Sequence, residues 1–287
     1  MKQFKSVALF VLILVLGGFV GYTLGTSNLI DDFLPSKQDF HWYQIIYFFL
    51  LYFLVIGIHE LGHLLTGLAM GYDFYLFVVG FLGIRREEDK SIKPYFNKDL
   101  GSFGGIAATF PKADQEFLAE DFSKVVIAGP LVSLVLAVVC FAVSQMFSQP
   151  TQFFILYTGL ISFFIFLATT VPSKTGVFYT DRKRYQRLKS SGKEKEIELA
   201  ILKASSYWVS KKPISGMDIK ELEKITTDDS AMFRHSGYYY MLSHIVESDR
   251  SRIPEVRAKM KELEEELPST FVKMMEKEIA KLPLDEE

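Results

Sequence analysis

The sequence predicts an α-helical polytopic membrane protein of about four spans, with a small β region at the membrane rim and an all-α soluble domain at its C-terminal end. Three observations predict this. Of the 287 residues, 49% are hydrophobic while 23% are charged, and the two classes are segregated along the chain, as in a membrane part joined to a soluble part. Four apolar runs are long enough to cross a bilayer core at about 1.5 Å per residue. From residue 182 onward, charges of both signs are interspersed and apolar residues recur at helical spacing, as with Ile197, Ala200 and Ile201, or Met241 and Ile245. The expected organisation is therefore a signal-anchor span and extracytoplasmic loop over 1–40, a membrane-embedded core over 41–181, and a cytoplasmic helical domain over 182–287.

Lys2 and Lys5 precede the first apolar run, Ser6 to about Gly25. It is longer than a secretory signal core and lacks a small-residue cleavage site, so a retained anchor is expected. Gly17, Gly21 and Gly25 recur every four residues, which suits close approach of a neighbouring helix or is incidental to a span. The other spans are expected at Trp42 to Met70, Lys124 to Phe147 and Gln152 to Val171. Asp31, Asp32 and Asp39 outnumber Lys37 after the first span. Arg85, Arg86, Lys90, Lys93 and Lys98 follow the second, and Arg182, Lys183 and Arg184 follow the fourth. By the positive-inside rule both termini are cytoplasmic.

Between the second and third spans, Phe74 to Ile84, Ile92 to Phe96 and Phe103 to Phe110 are aromatic and β-branched and too short to cross. They read as strands or a re-entrant hairpin, with a small sheet at the cytoplasmic rim. Beyond Asp181 four or five helices are expected, with turns at Gly192, at Pro213 to Gly216 and at Pro254.

A formal net charge of -2, with basic residues spread among acidic ones, gives no reason to expect nucleic acid as a partner. The single cysteine, Cys140, lies in an apolar run. It excludes an intramolecular disulfide and a cysteine-based zinc cluster, and reads as a small buried side chain.

The chemistry concentrates at His59-Glu60-Leu61-Gly62-His63, inside the second apolar run. On a helix the two histidines project from one face about a turn apart, so both can bind one Zn²⁺, and Glu60 is placed to take a proton from a zinc-bound water. Charged and metal-ligating side chains at membrane depth are costly and functional by default. A zinc hydrolase usually keeps three protein ligands and one open position. His41 lies before the second span, on the opposite side of the membrane, and His235 and His244 lie within the C-terminal helices. Asp181 is better placed, after Pro172 and a segment whose proline and glycine, Gly176, suggest a non-helical excursion.

With these residues in order, the chain resembles the site-2 protease family of intramembrane zinc metalloproteases. That family carries HExxH in one membrane helix, a Gly-Pro-containing helix next, and then Asn-x-x-Pro followed by the aspartate that completes the zinc site. Here the order is His59 to His63, then Gly129-Pro130, then Thr169-Thr170-Val171-Pro172 leading to Asp181. The resemblance covers roughly the middle half of the chain, and no inserted peptide-binding domain fits between the spans. It implies one Zn²⁺ per chain on His59, His63 and Asp181, and Glu60 as the catalytic base. The implied substrate is a membrane-anchored peptide or regulatory protein, cut in or near its transmembrane segment in a bacterial cell membrane. Where many members have Asn after Gly-Pro and Asn before Pro, this chain has Ser133 and Thr169, and Asp-Gly is Asp181-Arg182. The substrate-binding or oxyanion contacts of those carboxamides would fall to shorter hydroxyls. A second reading stays open: a catalytically inactive membrane scaffold that binds a cytoplasmic regulatory partner through 182–287.

Overall fold

The computed structural model describes residues 43–87, 89–112, 119–172, 174–175 and 178–284. The expected anchor span, with Gly17, Gly21 and Gly25, and the loop that follows it with His41 lie outside the described residues. Three described helices are long and apolar enough to cross a membrane: α1 (Tyr43–Ala69), α2 (Ala119–Ser144) and α3 (Thr151–Thr170). The chain divides into two compact units. One comprises the described residues up to Tyr52 together with Leu136–Ile161, where Phe48 packs at 5.7 Å from Phe153 and 4.4 Å from Tyr157, ring to ring. The other, Phe53–Val135 with Ser162–Glu287, contains everything described below.

After α1 the chain turns back on itself into an antiparallel sheet of β1 (Asp73–Val79), β2 (Leu82–Arg86), β3 (Ile92–Phe96) and β4 (Ile106–Phe110) in the order β3-β2-β1-β4. The run Phe74 to Ile84, expected as a strand or part of a re-entrant hairpin, is two antiparallel strands joined at Gly80, whose φ of 54° favours glycine. Phe77 pairs with Ile84 on one side and with Ala107 on the other.

The sheet, expected as strands or a re-entrant hairpin, is placed by its contacts with α1. It runs back alongside α1. A Cβ on Gly67 would fall 2.0 Å from Thr109 Oγ1, and one on Gly80 would fall 2.6 Å from the Phe53 ring. From Gly67 to Phe53 is about 21 Å of helix, so the β1–β2 turn reaches past His59 to the depth of Phe53. The physical reason lies in its polarity gradient. Phe81, Leu82 and Phe96 are exposed at the Gly80 end, whereas Arg85 and Lys93 pair with each other at the far end. The backbone of the turn is satisfied within the protein: the Gly80 N–H donates to the Phe103 carbonyl at 3.3 Å and the Gly80 carbonyl accepts from Asn97 Nδ2 at 2.8 Å.

Beyond α3, a two-residue hairpin of β5 (Lys174–Thr175) and β6 (Phe178–Tyr179) leads into six helices. These are α4 (Asp181–Lys189), α5 (Lys193–Val209), α6 (Ile219–Ile225), α7 (Ala231–Ser248), α8 (Ile253–Glu264) and α9 (Ser269–Ile279). That is more than the four or five expected. α4 begins on Asp181 itself, and α6 is too short to show a period, its start marked by Asp218 accepting from the Lys220 N–H. Leu222, Ile225, Leu242 and Ile245 form the fully buried centre of this region. A second cluster joins Tyr72, Phe122, Val126, Leu188 and Leu202, so α4 and α5 pack directly against the ends of α1 and α2.

His235 sits wholly buried in α7, with both ring nitrogens unpartnered and Glu264 Oε1 at 3.8 Å. Burial pushes its pKa down from 6.5 to about 4. The unfolded chain therefore binds more protons between those values, and stability falls as pH drops through that window, by about 2 kcal/mol at pH 5. Thermal melts at pH 7 and pH 5 are expected to show a lower midpoint in acid, and His235→Leu to flatten the difference.

Candidate metal centre

α1 presents His59 and His63 on one face, and α2 is shaped to receive them. Gly62 packs on the α2 backbone, where a Cβ would lie 3.0 Å from the Ala128 carbonyl oxygen. A Cβ on Gly129 would fall 2.2 Å from His63 Nε2, so the Gly of Gly-Pro is the space the imidazole occupies. Pro130 has no N–H to give the Val126 carbonyl one turn back. Beside that opened rung, the Val125 carbonyl accepts from His63 Nδ1 at 2.8 Å.

That bond fixes the proton of a neutral His63 on Nδ1 and leaves Nε2 as a lone pair. On His59, Nδ1 lies 2.9 Å from Ser133 Oγ. Ser133 is itself tied to the next helix, its carbonyl accepting from Ser162 Oγ at 2.8 Å. A chain of polar contacts thus runs from α3 through α2 to α1.

The Nε2 atoms of His59 and His63 are 3.3 Å apart, and Asp181 Oδ2 lies 3.4 Å from the first and 3.6 Å from the second. Three ligands held tetrahedrally at about 2.0–2.1 Å from one zinc ion would be about 3.3–3.4 Å apart. The three atoms have the spacing of a zinc face. With Nδ1 of His63 spent on a carbonyl, its Nε2 is a lone pair facing the Asp181 carboxylate, an arrangement that a cation on the triangle would satisfy.

Glu60 stands apart from this triangle. It is buried against β4, where its carboxylate accepts from the Ala107 N–H, and a Cβ on Gly105 would meet its Oε1 at 2.8 Å. Thr169 donates to the Ile165 carbonyl of its own helix at 3.0 Å. His235 is buried within α7, and His244 Nδ1 lies 3.1 Å from Ser248 Oγ on the same helix. The sequence offered no sign that Val125, Ala107 or Gly105 serve the site, since two act through backbone groups and the third by lacking a side chain.

No curated protein and no solved structure matches the chain. Peptidase family M50 matches it over residues 47–282, a stretch that takes in α1 from its first turns and extends through α9. The match contains the two histidines, Glu60, Gly129-Pro130 and Asp181 in one continuous span, and on that ground the chain belongs to peptidase family M50, the site-2 proteases.

Proposed function

We propose that the chain is an intramembrane zinc metalloendopeptidase that hydrolyses a peptide bond in or near a transmembrane segment of a membrane-anchored peptide or regulatory protein. The observation that carries the reading is the zinc-face spacing of His59, His63 and Asp181 beside a Glu60 that binds no part of the triangle. Zinc bound there would acidify a water and polarise the scissile carbonyl. Glu60 is the residue that would take the proton of that water and return it to the leaving amine. The Ala107 N–H keeps the Glu60 carboxylate oriented, and Ser133 and Val125 keep the two imidazoles turned with Nε2 inward.

A helical substrate hides its carbonyls in its own hydrogen bonds and must be extended before attack. β4 is an edge strand of the sheet and runs past Glu60, so an unwound substrate segment is proposed to add along it. The charge distribution of the loops supports a cytoplasmic position for both termini, and the helices from 182 to 287 are proposed to offer a surface to a cytoplasmic regulatory partner.

The experiment uses the full chain in detergent with a synthetic transmembrane peptide. Cleavage is expected to stop on chelation and return with added zinc. Cleavage that persists without metal overturns the reading. N-methylation of the peptide amides flanking the cleaved bond is expected to abolish cleavage, and unchanged cleavage refutes strand addition.

A further inference from the structure

The nine-residue helix α4 carries the proposed third metal ligand at its first position, and a single acidic residue far along the chain holds a side chain on either side of that ligand in sequence. Two residues before Asp181, the Tyr179 hydroxyl donates to Asp228 Oδ1 at 2.9 Å. Six residues after it, the Arg187 guanidinium donates through Nη2 to Asp228 Oδ2 and through Nε to Glu198 Oε1 at 2.9 Å. The guanidinium also lies over the Tyr179 ring, 4.6 Å from its centroid. Asp228 is held in turn by the Ser230 N–H at 2.7 Å, and Glu198 by Arg184 at 3.2 Å.

All of this is out of water: Arg187, Glu198 and Asp228 are 1%, 0% and 2% exposed. Ordinary domain packing does not ask for so expensive an arrangement. Buried ion pairs are a weak source of stability, and their best-attested use is to impose one geometry where apolar packing would permit several. Here the geometry imposed is that of the short segment Tyr179 to Arg187, which must bring one carboxylate oxygen to within 3.4 and 3.6 Å of two histidine nitrogens on another helix. Asp228 lies in the turn between α6 and α7 and Glu198 on α5, so the C-terminal helices reach into the metal centre through this clasp.

We propose that Asp228, acting through Tyr179 and Arg187, is a positioning residue for Asp181, and that the C-terminal helices are thereby a structural part of the metal centre. The inference rests on the metal reading above. The clasp aligns the ligand and makes no contact with the reacting atoms.

Cobalt affinity of the full chain in detergent, measured by competition with a chelator, reads this directly, and the visible absorption of the bound ion reports ligand geometry. Asp228→Asn is expected to bind cobalt about 10- to 100-fold more weakly, as loss of an outer-shell partner does elsewhere, with altered absorption bands. Tyr179→Phe keeps every charge and the ring stack, and is expected to show a smaller loss in the same direction. Leu242→Ala removes packing at the fully buried centre of the same helices and is expected to bind as the wild type does. Wild-type affinity and spectrum in both clasp variants overturn the proposal. So does a loss in Leu242→Ala equal to that in Asp228→Asn, which would trace the effect to general loosening of the helices. A wild-type chain that takes up no cobalt overturns the metal centre itself, and the clasp with it.

Discussion

Glu60→Gln is expected to retain the metal at the wild-type stoichiometry and to lose about 10²- to 10⁴-fold of its hydrolytic rate, the span typical of a positioned general base. The substitution is close to isosteric, and the amide oxygen of the new side chain can still accept from the Ala107 N–H. His59, His63 and Asp181 are untouched, so ligand spacing and metal affinity have no reason to change. What disappears is the ability to take a proton from water and hand it to the leaving amine. Elemental analysis and a cleavage assay on the same preparation separate the two properties. A variant that binds zinc and performs the chain's cellular role unimpaired would instead identify a scaffold that keeps the family's metal site for architecture.

Gly129→Ala is expected to remove the metal from a chain that still folds. The new methyl would sit 2.2 Å from His63 Nε2 and 2.7 Å from two neighbouring ring carbons, well inside van der Waals contact. The imidazole must swing away, and with it goes one corner of the ligand triangle. A lost ligand exceeds the roughly 10- to 100-fold penalty of a lost outer-shell partner, so metal content near zero is expected in elemental analysis. Gly104→Ala is the matched control, since nothing lies within 4 Å of a Cβ there. Full zinc occupancy in Gly129→Ala would mean that His63 is free to ligate from another rotamer, and that the Gly-Pro step serves helix packing alone.

These two residues illustrate how unevenly the molecule can be read from its sequence. The three described membrane helices were legible in position, with α3 at Thr151–Thr170 against an expected Gln152 to Val171 and α2 starting at Ala119, five residues before the expected Lys124, because an apolar run of that length has few other fates. The pair at His59 and His63 was legible because its spacing is set by one turn of helix. Asp181 could be ranked above the other candidates only by its place after Pro172, since its approach depends on a hairpin and a clasp built from residues as distant as Asp228. The packing of the sheet along α1 was not legible. The segments read equally as strands or a re-entrant hairpin, because the contacts of Gly67 and Gly80 that draw the sheet along α1 leave no periodic trace. Ser133 read as a shortened substitute for a carboxamide toward substrate. Its 2.9 Å contact with His59 Nδ1 appears only once α1 and α2 are packed together.

The meeting of His59, His63 and Asp181 beside Glu60 has a further consequence, in electroneutrality. Asp181 and Glu60 together carry two negative charges into a site flanked by apolar helices, and the two histidines, as neutral ligands, cancel neither. A divalent ion brings the sum to zero. With such an ion in place the centre would be an uncharged body among apolar helices, where net charge is penalised severely. On the metal reading proposed above, acquisition of the ion belongs to the assembly of the membrane-embedded fold as much as to its chemistry.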